Sequence, residues 1–163
     1  MKPIIIEVQR ELPFSAPVIF DVFMPLDLTH IMTGYGPLPA VSGIENQSGA
    51  WDSVGEERTI RTADGHRMLE VLTKVERPSG FAYTLSNMTS VLRFLVSQFH
   101  GSWSFEPKSS GQAHPITLAT WRYEFQVRSR ISWPISWFIL NVFWRPYMGQ
   151  AIERAAEMIP RET

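Results

Sequence analysis

The chain has no cysteine among its 163 residues, which excludes a disulfide frame, a thiolate nucleophile and a thiolate zinc site. Charge is sparse too. Asp, Glu, Lys and Arg make up 19% of the sequence and nearly cancel, leaving a formal net charge of -1. No global field therefore steers the protein toward nucleic acid or an anionic membrane. In the opening MKPIIIEVQREL only Ile4 to Ile6 is continuously apolar. That is too short for a signal-peptide core, and a bilayer crossing needs roughly 20 apolar residues. A soluble, cytoplasmic protein is expected, with no transmembrane segment. Repeats, linkers, phosphate loops and Gly-x-Ser-x-Gly elbows are missing as well. The length predicts one domain over residues 1–163, large enough to bury a core.

Aromatic residues, by contrast, are plentiful, at 12% with six tryptophans. Ile4 to Leu12 alternates apolar and polar side chains, the mark of a half-buried strand. A helix should follow, with Ser15 as N-cap and Pro17 in the first turn. Pro25 ends it. LDLTHIM can form a second short helix, and Thr33 to Pro39 reads as a loop. From Gly43 to Ser129 the period is mostly two. VGEERTIRTADGHRMLEVLTKVE is a hairpin turning at Asp64-Gly65. A two-residue turn sets Arg58 near Val71 and Ile60 near Leu69, gathers the apolar side chains on one face, and is the favoured register. A three-residue loop would instead set Arg58 opposite Glu70 as an ion pair. GFAYTLS points Phe81, Tyr83 and Leu85 inward, GSWSFEP points Trp103 and Phe105, and ITLATWRYEFQV points Trp121, Tyr123, Phe125 and Val127. Ser90 to Phe99 reads as strand with an irregular entry.

Ser132 to Ile159 joins two kinds of helix. Up to Trp144 its only polar side chains are Ser132, Ser136 and Asn141. Beyond Arg145-Pro146 it is amphipathic, and Pro146 should bend or break it. A helix that is apolar all round must be covered all round. A curved antiparallel sheet with an aromatic inner face can cover it on one side. The stripe Trp137, Leu140, Trp144, Met148 and Ile152 should face that sheet. Phe138, Ile139, Val142 and Phe143 lie off it, free to pack on the short helices, form a homodimer contact or touch a membrane transiently.

The element order, with GPLP, Trp51, VGEERTIRTADG, FAY, GSWSFEP, ATWRYEF and RPYM along it, resembles the SRPBCC superfamily. This is the START-like, helix-grip group, and the likeness is to its polyketide cyclase/dehydrase-like branch. The resemblance runs from Ile4 to about Ile159. It implies an α+β helix-grip fold: a curved antiparallel sheet around a long C-terminal helix, with two short helices after the first strand. It also implies a deep apolar cavity between sheet and helix. Across the superfamily that cavity serves lipid or isoprenoid carriage, hormone sensing, polyketide cyclisation and ring hydroxylation, so fold alone does not establish chemistry.

Twelve residues are candidates for contacting a small hydrophobic molecule in such a cavity: Arg58, Ile60, Leu69, Val71, Tyr83, Trp103, Phe105, Trp121, Tyr123, Phe125, Trp144 and Met148. Each aromatic could equally be plain core, but several Tyr and Trp tips converging favour a space with some water or a ligand. An inward Arg58 would suit a carboxylate, phosphate or phenolate head. Paired with Glu70, or reaching out over the rim, it would be structural. His30, His66, His100 and His114 have no metal-like spacing, so no metal or other cofactor is expected. Glu56 and Glu57, adjacent on a strand, face opposite ways and form no catalytic pair.

Three functions fit these residues. The first is binding of a lipid, isoprenoid or polyketide-like molecule, most of the affinity coming from apolar burial at about 25 cal/mol per Å². The second is a metal-free cyclase or dehydratase in the same cavity, with Arg58 stabilising an enolate and a tyrosine acting as acid. The third is an interaction protein with a collapsed cavity, working through the face around Phe138 and Phe143.

Overall fold

The computed structural model describes residues 1–109 and 114–161. Among them are seven strands: β1 (Ile4–Leu12), β2 (Val41–Glu45), β3 (Glu57–Thr62), β4 (Arg67–Glu76), β5 (Gly80–Ser86), β6 (Val96–Ser109) and β7 (Ile116–Val127). They form one antiparallel sheet in the order β1-β7-β6-β5-β4-β3-β2. β2 to β7 run as a meander, and β1 returns to pair with β7. Register shifts at Leu72/Lys74, Val96/Gln98 and Pro107/Ser109 interrupt the long ladders. An extra residue on one strand bends it and strengthens the local twist, which cups the sheet.

Helix α1 (Ala16–Phe23) follows β1, with Ser15 at its N-cap position and Pro17 in its first turn. The Ser15 hydroxyl makes no capping hydrogen bond, so proline's fixed φ and the burial of Ile19, Phe20 and Phe23 carry this start. The second short helix is a single 3-10 turn, Leu28–His30, capped by Asp27. Val91–Phe94 is another 3-10 turn, with β6 beginning only at Val96. The irregular entry expected there is thus a helical turn held by the Ser90 hydroxyl on Leu92 N–H.

The hairpin between β3 and β4 corrects the favoured register. Arg58 pairs with Glu70, Thr59 with Leu69 and Ile60 with Met68. Gly65 N–H donates to Thr62 O, Thr62 N–H donates to His66 O, and Gly65 has φ +86°. This is the three-residue loop, a type I turn closed by a left-handed glycine. A one-residue slip flips a strand's faces. Leu69 and Val71 therefore lie half-buried on the outer face, while Met68, Glu70 and Leu72 point inward.

The C-terminal segment is helical without a break: α2 (Trp133–Ile139), a π-helical turn (Leu140–Trp144) and α3 (Arg145–Glu157). Pro146 lies in the first turn of α3, and Arg145 N–H bonds Leu140 O, five residues back. The widened turn lets the helix pass the missing proline donor and adds a residue to the inward phase. Leu140, Trp144, Met148 and Ile152 face the sheet as expected, but Ser136 takes the place assigned to Trp137, which is 48% exposed. Nor is the apolar half covered all round. Ile135, Phe138 and Val142 face outward, while Phe143 packs on the Thr33–Pro39 loop, where a Cβ on Gly36 would sit 3.0 Å from its ring. Among the described residues no helix is long and apolar enough to cross a membrane.

Candidate functional site

Sheet and helix do not close completely on each other. A cavity of about 260 Å³ lies between the inner face of β3–β7, the π-helical turn and the loops at one end. Its walls include Ile31, Met32, Ile60, Phe81, Leu85 and Phe99, and it reaches the surface near Pro37, Asp64, Arg67 and Val91. Of the twelve candidates, seven line it: Arg58, Ile60, Tyr83, Trp103, Trp121, Tyr123 and Trp144. Five do not. Leu69 and Val71 fall on the outer face through the register just described. Phe105 is sealed off because Phe20 and Phe23 of α1 pack edge-on against it, at 6.3 and 5.8 Å between centroids. Phe125 is fully buried, stacked on Phe99 at 4.9 Å and covered by Trp144. Met148 is fully buried on the inward side of α3. Inward direction was legible for these last three; whether core or cavity lay beyond them depended on the helices.

Away from the polar side chains at the mouth (Asp64, His66, Arg67, Ser90), two buried polar groups stand out in the apolar wall. The first lies on a row across the sheet. Register places Tyr83, Gly101 and Tyr123 side by side on β5, β6 and β7. A Cβ on Gly101 would come within 2.4 Å of the Tyr83 ring. Glycine there leaves room for the two phenols to meet over the middle strand. Their hydroxyls lie 2.8 Å apart, and the Trp121 indole N–H donates to the Tyr83 oxygen at 2.9 Å. On the next row Trp103 stacks on Trp121 at 4.6 Å, which fixes the indole. Burial pushes both phenols well above their ordinary pKa, and for Tyr83 the nearby Glu70 charge adds to this. Both therefore remain O–H donors at neutral pH.

The second group is the Arg58–Glu70 pair. One Arg58 Nη2–H donates to Glu70 Oε1 at 3.0 Å, with both side chains buried. The Trp51 ring lies 3.9 Å from the guanidinium carbon. Trp51 is itself buried and adopts φ +59°. A bulky residue in the left-handed region costs on the order of 1–3 kcal/mol and recurs at functional sites. Arg58 Nε and Glu70 Oε2 have no hydrogen-bond partner, and neither does the buried Trp144 Nε1. Burial raises the Glu70 carboxyl above its usual range, with Arg58 opposing the rise.

Glu70, Trp51, Met68 and Tyr147 line the cavity but were not among the twelve candidates. The three-residue hairpin loop was the signal for Glu70 and Met68. Nothing periodic marks Trp51, which sits in a loop. Tyr147 pins the Thr33–Pro39 segment, accepting from Gly34 N–H at 2.9 Å and donating to Pro39 O at 2.8 Å. The histidines are scattered: His66 meets the Thr89 hydroxyl and His100 that of Thr84. Among the described residues no three His, Cys, Asp or Glu side chains group to hold a metal.

A cupped antiparallel sheet closed over a C-terminal helix defines the helix-grip class. A family model described as polyketide cyclase / dehydrase and lipid transport matches residues 3–162, and the chain belongs to that family. It is similar in structure to the major latex-like protein 151 of Panax ginseng, with TM-score 0.67 and 12% identity over 99% of this chain and 100% of that one. Norcoclaurine synthase from Thalictrum flavum, in complex with dopamine and hydroxybenzaldehyde, gives TM-score 0.67 and 13% identity over 99% and 90%. A protein of Nitrosospira multiformis gives 0.68 and 10% over 96% and 97%. At such identities the likeness carries the fold alone. A search of the curated proteins found no match. Fold and family together describe a scaffold for binding hydrophobic ligands.

Proposed function

We propose that the cavity between the sheet and the π-helical turn binds one small, largely apolar molecule. The carrying observation is a largely apolar space of about 260 Å³ with two buried polar groups, the paired phenols and the Arg58–Glu70 pair, set in its inner wall. That volume is near the lower end of small-molecule pockets, about 300 Å³, and suits a bicyclic body or a short isoprenoid. Trp103, Trp121, Trp144 and Ile60 would hold the body, with Tyr83, Tyr123 and Arg58 turned to a polar end. The open volume counts against a collapsed interior. The protein would act in the cytoplasm as a single domain.

Equilibrium dialysis against 2-ethylnaphthalene tests this reading. The wild type should bind one equivalent, and Ile60→Phe, which fills the space, should weaken binding about tenfold or more, the loss of about 1.4 kcal/mol. Equal binding by both proteins would overturn the assignment. One observation favours a second reading. A buried carboxyl with a raised pKa, Glu70, can serve as a general acid for a carbonyl substrate in the same space. Turnover of an aromatic ketone or polyketide mimic that disappears in Glu70→Gln would support it.

A further inference from the structure

We infer that the cavity selects an uncharged ligand carrying a hydrogen-bond acceptor, such as a ketone or quinone oxygen, over the matching carboxylate. This rests on the binding reading above. Charge comes first. Arg58 would attract an anion if it stood alone, but Glu70 already faces it at 3.0 Å, and both are buried. The pair is neutral as a unit. A ligand carboxylate would enter as a second anion beside Glu70 in a medium of low dielectric, where like charges disfavour each other strongly.

Proton counting gives the rest. The Trp121–Tyr83–Tyr123 chain contains one indole N–H and two phenol O–H groups, three donors in all, joined by two hydrogen bonds. Whichever phenol donates to the other, one O–H is left over, on Tyr83 or on Tyr123. Two further donors lack acceptors, Trp144 Nε1–H and Arg58 Nε–H, against a single unpartnered acceptor, Glu70 Oε2. Among the buried side-chain groups of this wall, unpartnered donors outnumber unpartnered acceptors. A buried donor without a partner is expensive, so the complementary ligand brings an oxygen lone pair and no charge.

Three probes of one shape separate these terms: 2-acetylnaphthalene, 2-naphthoate and 2-ethylnaphthalene, each titrated calorimetrically at pH 7.5. The ketone should bind about tenfold tighter than the hydrocarbon, the usual worth of one good hydrogen bond, and the carboxylate should bind most weakly. In Tyr83→Phe/Tyr123→Phe, with folding checked by circular dichroism, the ketone's advantage over the hydrocarbon should shrink severalfold, the remaining N–H donors supplying what is left. In Glu70→Gln the guanidinium loses its counter-charge, and the carboxylate should overtake the ketone. Ketone and hydrocarbon binding equally to the wild type would overturn the inference while leaving the cavity reading intact. So would a carboxylate that already binds best, or an order unchanged in Glu70→Gln. If none of the three binds, the cavity reading fails and takes this inference with it.

Discussion

Consider replacing Arg58 by Met and Glu70 by Leu, singly and together. The pair is separated by 3.0 Å and lies almost wholly out of water, with the guanidinium on the face of Trp51. Charges at about 4 Å and an effective dielectric near 20 attract by about 4 kcal/mol. The desolvation penalty is several kcal/mol for each ion. Summed over both ions the penalty matches or exceeds the attraction, and the unpartnered Arg58 Nε and Glu70 Oε2 show that hydrogen bonding is incomplete. Removing one partner strands the other, at about 3–5 kcal/mol. Arg58→Met should fall at the lower end, because Glu70 can escape its charge by taking up a proton. The double variant should lie within about 1 kcal/mol of wild type, or above it by as much as about 4 kcal/mol. Urea denaturation at pH 7, followed by circular dichroism, measures all four corners. A double variant destabilised by the sum of the singles would refute the reasoning, since the pair would then be an ordinary contributor to stability and no marker of a site.

Gly101→Ala should cost about 1–3 kcal/mol by overpacking, because its methyl would meet the Tyr83 ring at 2.4 Å; a change below about 0.5 kcal/mol in the same assay would contradict this. Tyr147→Phe should remove about 1–3 kcal/mol, the worth of two hydrogen bonds, and speed amide exchange at Gly34, whose N–H it holds. Unchanged exchange there would show the loop to be held otherwise. For Glu70 the folded pKa lies above the unfolded value of about 4.3. The folded state binds more protons between the two, so stability falls as pH rises through that window. Wild-type stability minus that of Glu70→Gln should therefore decline upward from about pH 4, and a difference independent of pH would refute it.

Much of the architecture was legible because period-two alternation in β1, β5 and β7 specifies an inner face without reference to anything distant. Asp64-Gly65 was harder. A left-handed glycine serves a two-residue and a three-residue turn equally, and counting apolar residues favoured the wrong one because Arg58 and Glu70 are polar side chains on the buried face. The helix misled at Trp137 for a related reason. Continuous 3.6-residue phase was assumed from Trp137 to Trp144, and the π-helical turn there shifts it by one position. The site divided along the same line. Strand direction identified Tyr83, Trp121 and Tyr123, while the boundary between cavity and core, at Phe105 and Phe125, was set by α1 and Trp144 from elsewhere in the chain. Periodicity did not mark Trp51, since its importance lies in a backbone conformation and a partner across a loop.

Isotope-filtered nuclear Overhauser contacts between bound 2-acetylnaphthalene and the protein would test the central claim most directly. The ring protons should touch Trp103, Trp144 and Ile60, with the acetyl group beside Tyr83 or Tyr123. Contacts confined to the outward side chains Ile135, Phe138 and Val142 would contradict it.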